Sequence, residues 1–155
     1  MSKYIGSFSG DLEFLSNMYK IPIYFNESKY DNFQPDFKVY PSSENLYQAL
    51  KCKYIKDREL FQNVDPYKSK RIGKTIEIRY GWDNVRLEAM QLAIDLKFKN
   101  IELAEKLINL PDDKIIEFNN WGDRFFGICN GEGLDHLGKI LRAKKQQIIK
   151  DKQGV

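Results

Sequence analysis

Hydrophobic and polar residues alternate with a period of two over short segments in the first forty positions, and take up a helical period through most of the remaining chain. Residues 4–8 are short and aromatic, 21–25 alternate around Pro22, and 37–40 alternate again, so all three are expected to be strands. Between the last two lies ESKYDNFQPD, a polar, turn-rich loop expected to be mobile or to face substrate. Residues 41–55, PSSENLYQALKCKYI, then read as one helix capped by Ser42 or Ser43. Leu46, Leu50 and Tyr54 form its apolar stripe, while Glu44, Gln48 and Lys51 fall at i, i+4 and i+7 on a polar one.

Further helices carry their own start signals. Asp65-Pro66 pairs a cap with a proline at the first helical position, and the helix is expected to run through Lys70 toward Gly73. Residues 83–98 form a longer helix capped by Asp83, with Met90, Ala93, Ile94 and 96–98 inward and Trp82 stapled in front of it. Asn100 caps a helix through Leu110 that Pro111 ends. Residues 114–118 read as a strand leading into NNWGDRFFGICNGEG, which is irregular, glycine-rich and aromatic. A last helix over 135–150 turns Leu137, Ile140, Leu141 and Ile148 inward. Its Lys139, Arg142, Lys144, Lys145 and Lys150 read most simply as a solvated face. In FLSN the Ser16-Asn17 pair between apolar residues is unusual, and its plainer reading is a turn in which Asn17 bonds its own backbone.

Composition narrows the class. A chain of 155 residues with 42% hydrophobic and 14% aromatic content can bury a core without disulfides, and is expected to be one domain over 1–155. A net charge of +3 argues against a protein that grips nucleic acid through phosphate contacts alone, yet suits a small phosphorylated ligand. Cys52, Cys129 and the single His136 have no metal-ligand spacing, so no metal and no cofactor are expected. With no apolar leader or membrane-length run, a cytoplasmic protein without membrane contact or obligate protein partner is expected.

Two places gather ionisable groups among aromatics: the Glu44, Gln48, Lys51 stripe, and residues 119–127 with Trp121, Asp123, Phe125 and Phe126. By spacing alone the stripe is most simply a solvated face, with Glu44 favoured in the first turn by about 0.3 to 1 kcal/mol. The same set suits cleavage of an N-glycosidic bond. A carboxylate stabilises the cation-like sugar carbon, a proton donor assists the departing base, and rings hold that base by stacking. Over seven residues, about 10.5 Å of helix, a lysine leaning toward the N-terminus can reach back to share one ribose with Glu44. If burial or a neighbouring cation freed its amine, that lysine could attack an opened sugar and form a Schiff base.

The chain resembles the YbiA-like proteins, or NADAR superfamily, through an ordered series of segments. These are FLSNMY (14–19), YPSSENLYQALK (40–51), PYKSKRIG (66–73), Trp82 followed by VRLEAM, LKFKN (96–100), and IIEFNNWGDRFFG with GLDHLGKIL across 115–141. The resemblance implies a helix-rich α+β domain with a small sheet. It also implies an N-glycosidase acting on ribosyl phosphates or ADP-ribose derivatives, such as ribosylamino-pyrimidine phosphates of riboflavin biosynthesis or ADP-ribosylated guanine in nucleic acid. Carried over by position, Glu44, Lys51 and Asp123 match the family's acidic and lysine positions, Trp82 its tryptophan before the long helix, and Asn17 its F-x-S-N asparagine. Asn45, Phe126 and the Asp135-His136-Leu137-Gly138 run depart from the usual His, Trp and N-x-L-G.

These considerations give Glu44, Lys51 and Asp123 as candidate catalytic residues, with Glu44 serving ribose hydroxyls or the developing cation, Lys51 as nucleophile or charge partner, and Asp123 as second carboxylate. Asn17, Gln48, Trp82, Trp121 and Phe126 are candidate substrate contacts, with Trp82 stacking the base, and Lys70 and Arg71 are candidate phosphate contacts. The expected partner is a small phosphorylated ribosyl or ADP-ribosyl substrate, free or attached to nucleic acid. The alternative function is a module that binds ADP-ribose or a nucleotide without cleaving it.

Overall fold

The computed structural model describes residues 8–28 and 34–154. The expected strand at 4–8 and the middle of the 27–36 loop lie mainly outside the described residues. The chain folds into two compact units, one formed by residues 17–97 and the other by the segments before and after them. The architecture is α+β and helix-rich, and among the described residues it carries two small two-stranded sheets.

In the first unit, β1 (Ile23–Asn26) pairs antiparallel with β2 (Phe37–Tyr40) in a register running from Ile23 opposite Tyr40 to Asn26 opposite Phe37. Alternation works as expected: Ile23 and Tyr40 are buried while Tyr24 and Val39 face out. Helix α1 (Ser43–Leu50) follows, then a 3-10 stretch (Ile55–Phe61), α2 (Pro66–Ile72) and α3 (Trp82–Lys97). α1 packs against β2, the 3-10 stretch, α2 and α3, so all eight of its residues are buried.

That burial corrects two expectations. The polar stripe of α1 is not a solvated face, and the helix stops at Leu50 instead of continuing to residue 55. Beyond it the backbone turns to another partner: Arg79 N–H donates to Lys51 O, Lys53 N–H donates to Glu77 O, and Cys52 forms an isolated bridge with Ile78. Tyr54, expected in the core stripe, is consequently 44% exposed.

Helix starts follow the caps read from sequence. The side chains of Ser42, Asp65 and Asn100 accept from the backbone N–H groups of Asn45, Lys68 and Leu103. Asp83 is an exception, because α3 already begins at Trp82 and Asp83 lies within its first turn.

In the second unit, a 3-10 turn (Gly10–Leu15) places Phe14 edge-on to Phe98 at 6.5 Å. α4 (Ile101–Ile108) packs against α5 (His136–Lys152), and β3 (Phe118–Asn119) pairs in parallel with β4 (Ile128–Cys129). The expected strand at 114–118 forms only at its end. Its backbone groups go to side chains instead of a ladder: Ile115 O accepts from Arg142 Nη1, and Glu117 N–H donates to Asp135 Oδ1. No helix among the described residues is long and apolar enough to cross a membrane.

Candidate active site

α1 owes its position to asparagine and serine side chains. Ser42 and Asn45 exchange bonds across the cap, with Ser42 Oγ donating to Asn45 Oδ1 at 2.6 Å and accepting from Asn45 N–H at 3.1 Å. The Asn45 amide then donates to Phe61 O and Val64 O, each at 2.9 Å, tying the helix to the chain that leads into α2. Asn45, one of the departures from the family pattern, is therefore a buried tether. Asn17 closes the other side: its carbonyl accepts from Glu44 N–H at 3.1 Å and its Oδ1 from Ser43 Oγ at 2.8 Å. Its amide lies 3.3 Å from Met90 Sδ of α3. Asn17 thus holds the N-terminus of α1 instead of closing a turn on its own backbone.

On the helix so fixed, Gln48 Nε2 donates to Glu44 Oε2 at 2.7 Å, and both side chains are buried. A charged carboxylate taken out of water is expensive unless it keeps donors, and the amide one turn along is such a donor. Lys51, the C-terminal cap residue of α1, is half-buried. Burial pulls its amine below the ordinary lysine value and Lys74 adds to that, while the Glu44 charge opposes both. The free-amine condition set by sequence reasoning is therefore met in direction, and Glu44 and Lys51 sense each other's charge.

Trp82 is buried with its ring 5.3 Å from that of Tyr47 on α1, tilted at 53°. Lys70 and Arg71 lie in the last turn of α2, Lys70 half-buried and Arg71 exposed. Cys52 is a packing thiol, pushed up to about 11 chiefly by burial.

Trp121, Asp123 and Phe126 belong to the second unit. Asp123 Oδ1 accepts from Phe125 N–H at 3.0 Å and from Phe126 N–H at 2.9 Å. Buried Asn119 exchanges two further bonds with the Asp123 backbone. Phe125 stands edge-on to Phe126 at 4.8 Å and 4.6 Å from the ring of His136, the first residue of α5. Trp121 is 57% exposed.

Three features escaped residue-type reasoning. Ser43 is a ligand of Asn17, visible in sequence only as a second serine beside the cap. Lys97 is fully buried with its amine pushed down to about 7 by desolvation, and its Nζ lies 5.8 Å from the centre of the Tyr19 ring. It lies inside the 96–98 run expected to face inward, and a lysine in such a run was the available signal. Gly73 is the third, pressed against Gln48. Among the described residues no group of three or more His, Cys, Asp or Glu side chains is arranged to hold a metal ion.

Known proteins resemble this chain in both sequence and fold. N-glycosidase YbiA of Escherichia coli strain K12 is 30% identical over 125 residues, 76% of each chain. N-glycosidase Npun_R5314 of Nostoc punctiforme is 31% identical over 113 residues, 68% of this chain and 72% of its own. The chloroplastic riboflavin biosynthesis protein PYRR of Zea mays is 26% identical over 128 residues, covering 74% of this chain but 20% of that protein. The NMR structure of E. coli YbiA superposes with a TM-score of 0.73 at 27% identity, covering 95% of this chain and 84% of that one. The protein is therefore a relative of hydrolases that act on N-glycosyl bonds. The NADAR domain matches residues 5–149, running through both compact units without a break, and the chain belongs to that family.

Proposed function

We propose that the chain is an N-glycosidase that hydrolyses the N-glycosidic bond of an ADP-ribose or ribosyl-phosphate derivative. The candidates are ribosylamino-pyrimidine phosphates of riboflavin biosynthesis and ADP-ribosylated guanine, the latter free or in nucleic acid. The observation that carries this reading is the buried Glu44–Gln48 pair one helical step from Lys51, whose amine burial makes easier to deprotonate. As the bond to the base breaks, positive charge grows on the anomeric carbon, and the Glu44 carboxylate, aimed by its bond from the Gln48 amide, offsets it. Lys51 in its free form attacks the same carbon of the opened sugar, the bond to the base breaks as the base takes up a proton, and water then hydrolyses the resulting Schiff base to release the sugar and regenerate the amine; in its charged form Lys51 is instead the charge partner of Glu44 while water attacks directly. Asp123 is the second carboxylate, and Trp121 and Phe126 supply rings for the base. Trp82 acts at the Tyr47 side of α1, while Lys70 and Arg71 meet phosphate. The chemistry proposed needs no metal, and chelation with EDTA is expected to leave the rate unchanged.

The test pairs two substrates. The protein is incubated with a ribosylamino-uracil phosphate and, separately, with ADP-ribosylated guanine DNA, and base release is followed by chromatography. Turnover of one is expected. Absence of turnover of both, with calorimetry showing tight binding of intact ADP-ribose, makes the chain a binding module instead. Borohydride added during turnover is expected to trap a covalent adduct on Lys51. An active enzyme that yields no adduct hydrolyses its substrate directly.

A further inference from the structure

Gly73 caps the C-terminus of α2 with φ −59° and ψ −18°, an ordinary right-handed conformation that any residue adopts. Glycine at the end of a helix usually serves a left-handed turn, and this one does not, so its backbone gives no reason for it. The reason is space. A Cβ on Gly73 would overlap Gln48 Oε1 outright and stand 2.7 Å from Gln48 Cδ. The Gln48 amide occupies the place where a side chain at position 73 would be.

The amide has little else to hold it there. Its Nε2 donates to Glu44 Oε2, but its Oε1 is buried with no hydrogen-bond partner among the described residues. A buried acceptor left unmet costs about 1 to 3 kcal/mol. The fold accepts that cost while the other end of the same amide serves Glu44. An amide fixed at one end only, in a gap the width of a missing methyl group, moves when the gap is filled. Because the obstructed atoms are the far end of a flexible side chain and not backbone, an alanine at 73 displaces the amide without breaking the helix.

We infer that Gly73 is a positioning residue of the site: its missing side chain leaves the gap that lets Gln48 aim its amide at Glu44, so that α2 sets the geometry of a carboxylate on α1. The inference rests on the proposed role of Glu44. Gly73 touches no substrate and acts through Gln48 alone.

A double-mutant cycle tests it, using the substrate that the paired assay shows to be turned over. Gly73→Ala and Gln48→Ala are each expected to lower kcat about tenfold with KM within about twofold, and the double variant is expected to be no slower than Gln48→Ala. Gln48→Asn, too short to reach Glu44 yet leaving the gap open, should match Gln48→Ala. The acid limb of the kcat profile should move to higher pH in Gly73→Ala, because Glu44 loses a donor that favours its charged form. A purely structural role for Gly73 would lower the melting temperature and leave that limb in place. Full kcat in Gly73→Ala overturns the inference, as does a tenfold loss that persists undiminished in the Gln48→Ala background. If Gly73→Ala does not fold, wild-type kcat in Gln48→Asn overturns it equally. Full activity of Glu44→Gln would instead remove the role of Glu44 itself, a different result from an uncoupled cycle in which Glu44→Gln is inactive.

Discussion

Helix α1 and the 119–127 loop each present a carboxylate organised by an asparagine, and the two are held in opposite ways. Asn45 ties α1 to the backbone of Phe61 and Val64, leaving Glu44 to meet a side-chain amide. Asn119 ties its loop to the backbone of Asp123, and the Asp123 carboxylate itself accepts two further backbone N–H groups from Phe125 and Phe126. A carboxylate met by an adjustable side-chain amide can trade that donor for a ligand. One whose oxygen holds its own loop together loses the loop when it trades. On the proposed mechanism Glu44 serves charge and Asp123 shape, with any charge role at Asp123 coming second.

The largest expected effect is at Glu44. Glu44→Gln keeps the size and the hydrogen-bonding reach but removes the charge opposite the developing cation, and kcat is expected to fall about 10²- to 10³-fold in the base-release assay. A loss under tenfold would erase the distinction between the two regions.

The anchors come next, and they read stability. Asn45→Ala takes the amide donor from the carbonyls of Phe61 and Val64 while the cap bond from the N–H of residue 45 to Ser42 Oγ is kept, and is expected to cost about 2 to 4 kcal/mol in urea unfolding. Asn119→Ala removes two bonds at a more open loop and is expected to cost about half as much. Equal costs would show that both regions are built into the core to the same depth.

Much of this was written in the sequence where a single side chain decides a local structure. Ser42, Asp65 and Asn100 each announced a helix start, because a short polar side chain accepting a backbone N–H needs only residues close in the chain. What the sequence hid depends on distant partners. The polar stripe of α1 is indistinguishable from a solvent face until four neighbouring elements close over it. Residues 114–118 are apolar and β-branched enough to read as a strand, but Arg142 and Asp135, far along the chain, take backbone groups a ladder would need. Gly73 looked like a helix stop, and only the position of Gln48 gives it another reason.

Lys97 tests whether burial alone shifts an amine in this fold as it does at Lys51. Its folded-state value of about 7 lies below the ordinary 10.5, so between those values the unfolded chain holds a proton that the folded chain lacks. Stability should therefore rise with pH from about 7 to about 10.5, and the burial cost is fully present below 7. Lys97→Met removes the buried charge at similar volume. It is expected to flatten the dependence above 7, as read by urea titrations across pH. Unchanged slopes would mean that Lys97 keeps its proton in the fold.

The smallest effect expected is at Asp123, and it bears most directly on the contrast with Glu44. Asp123→Asn retains an Oδ1 able to accept from Phe125 and Phe126, so the loop keeps its form while the charge is lost. The substitution isolates the carboxylate's charge from its geometry, which alanine would not do. A fall in kcat of about tenfold, near 1.4 kcal/mol in the barrier, is expected, with KM and melting temperature little changed. A fall matching Glu44→Gln would make the two carboxylates equal partners in the reaction, and the backbone bonds to Asp123 would then serve to orient a reacting group. No fall at all would leave Asp123 as the clasp of its loop, with the work of charge stabilisation on α1 alone.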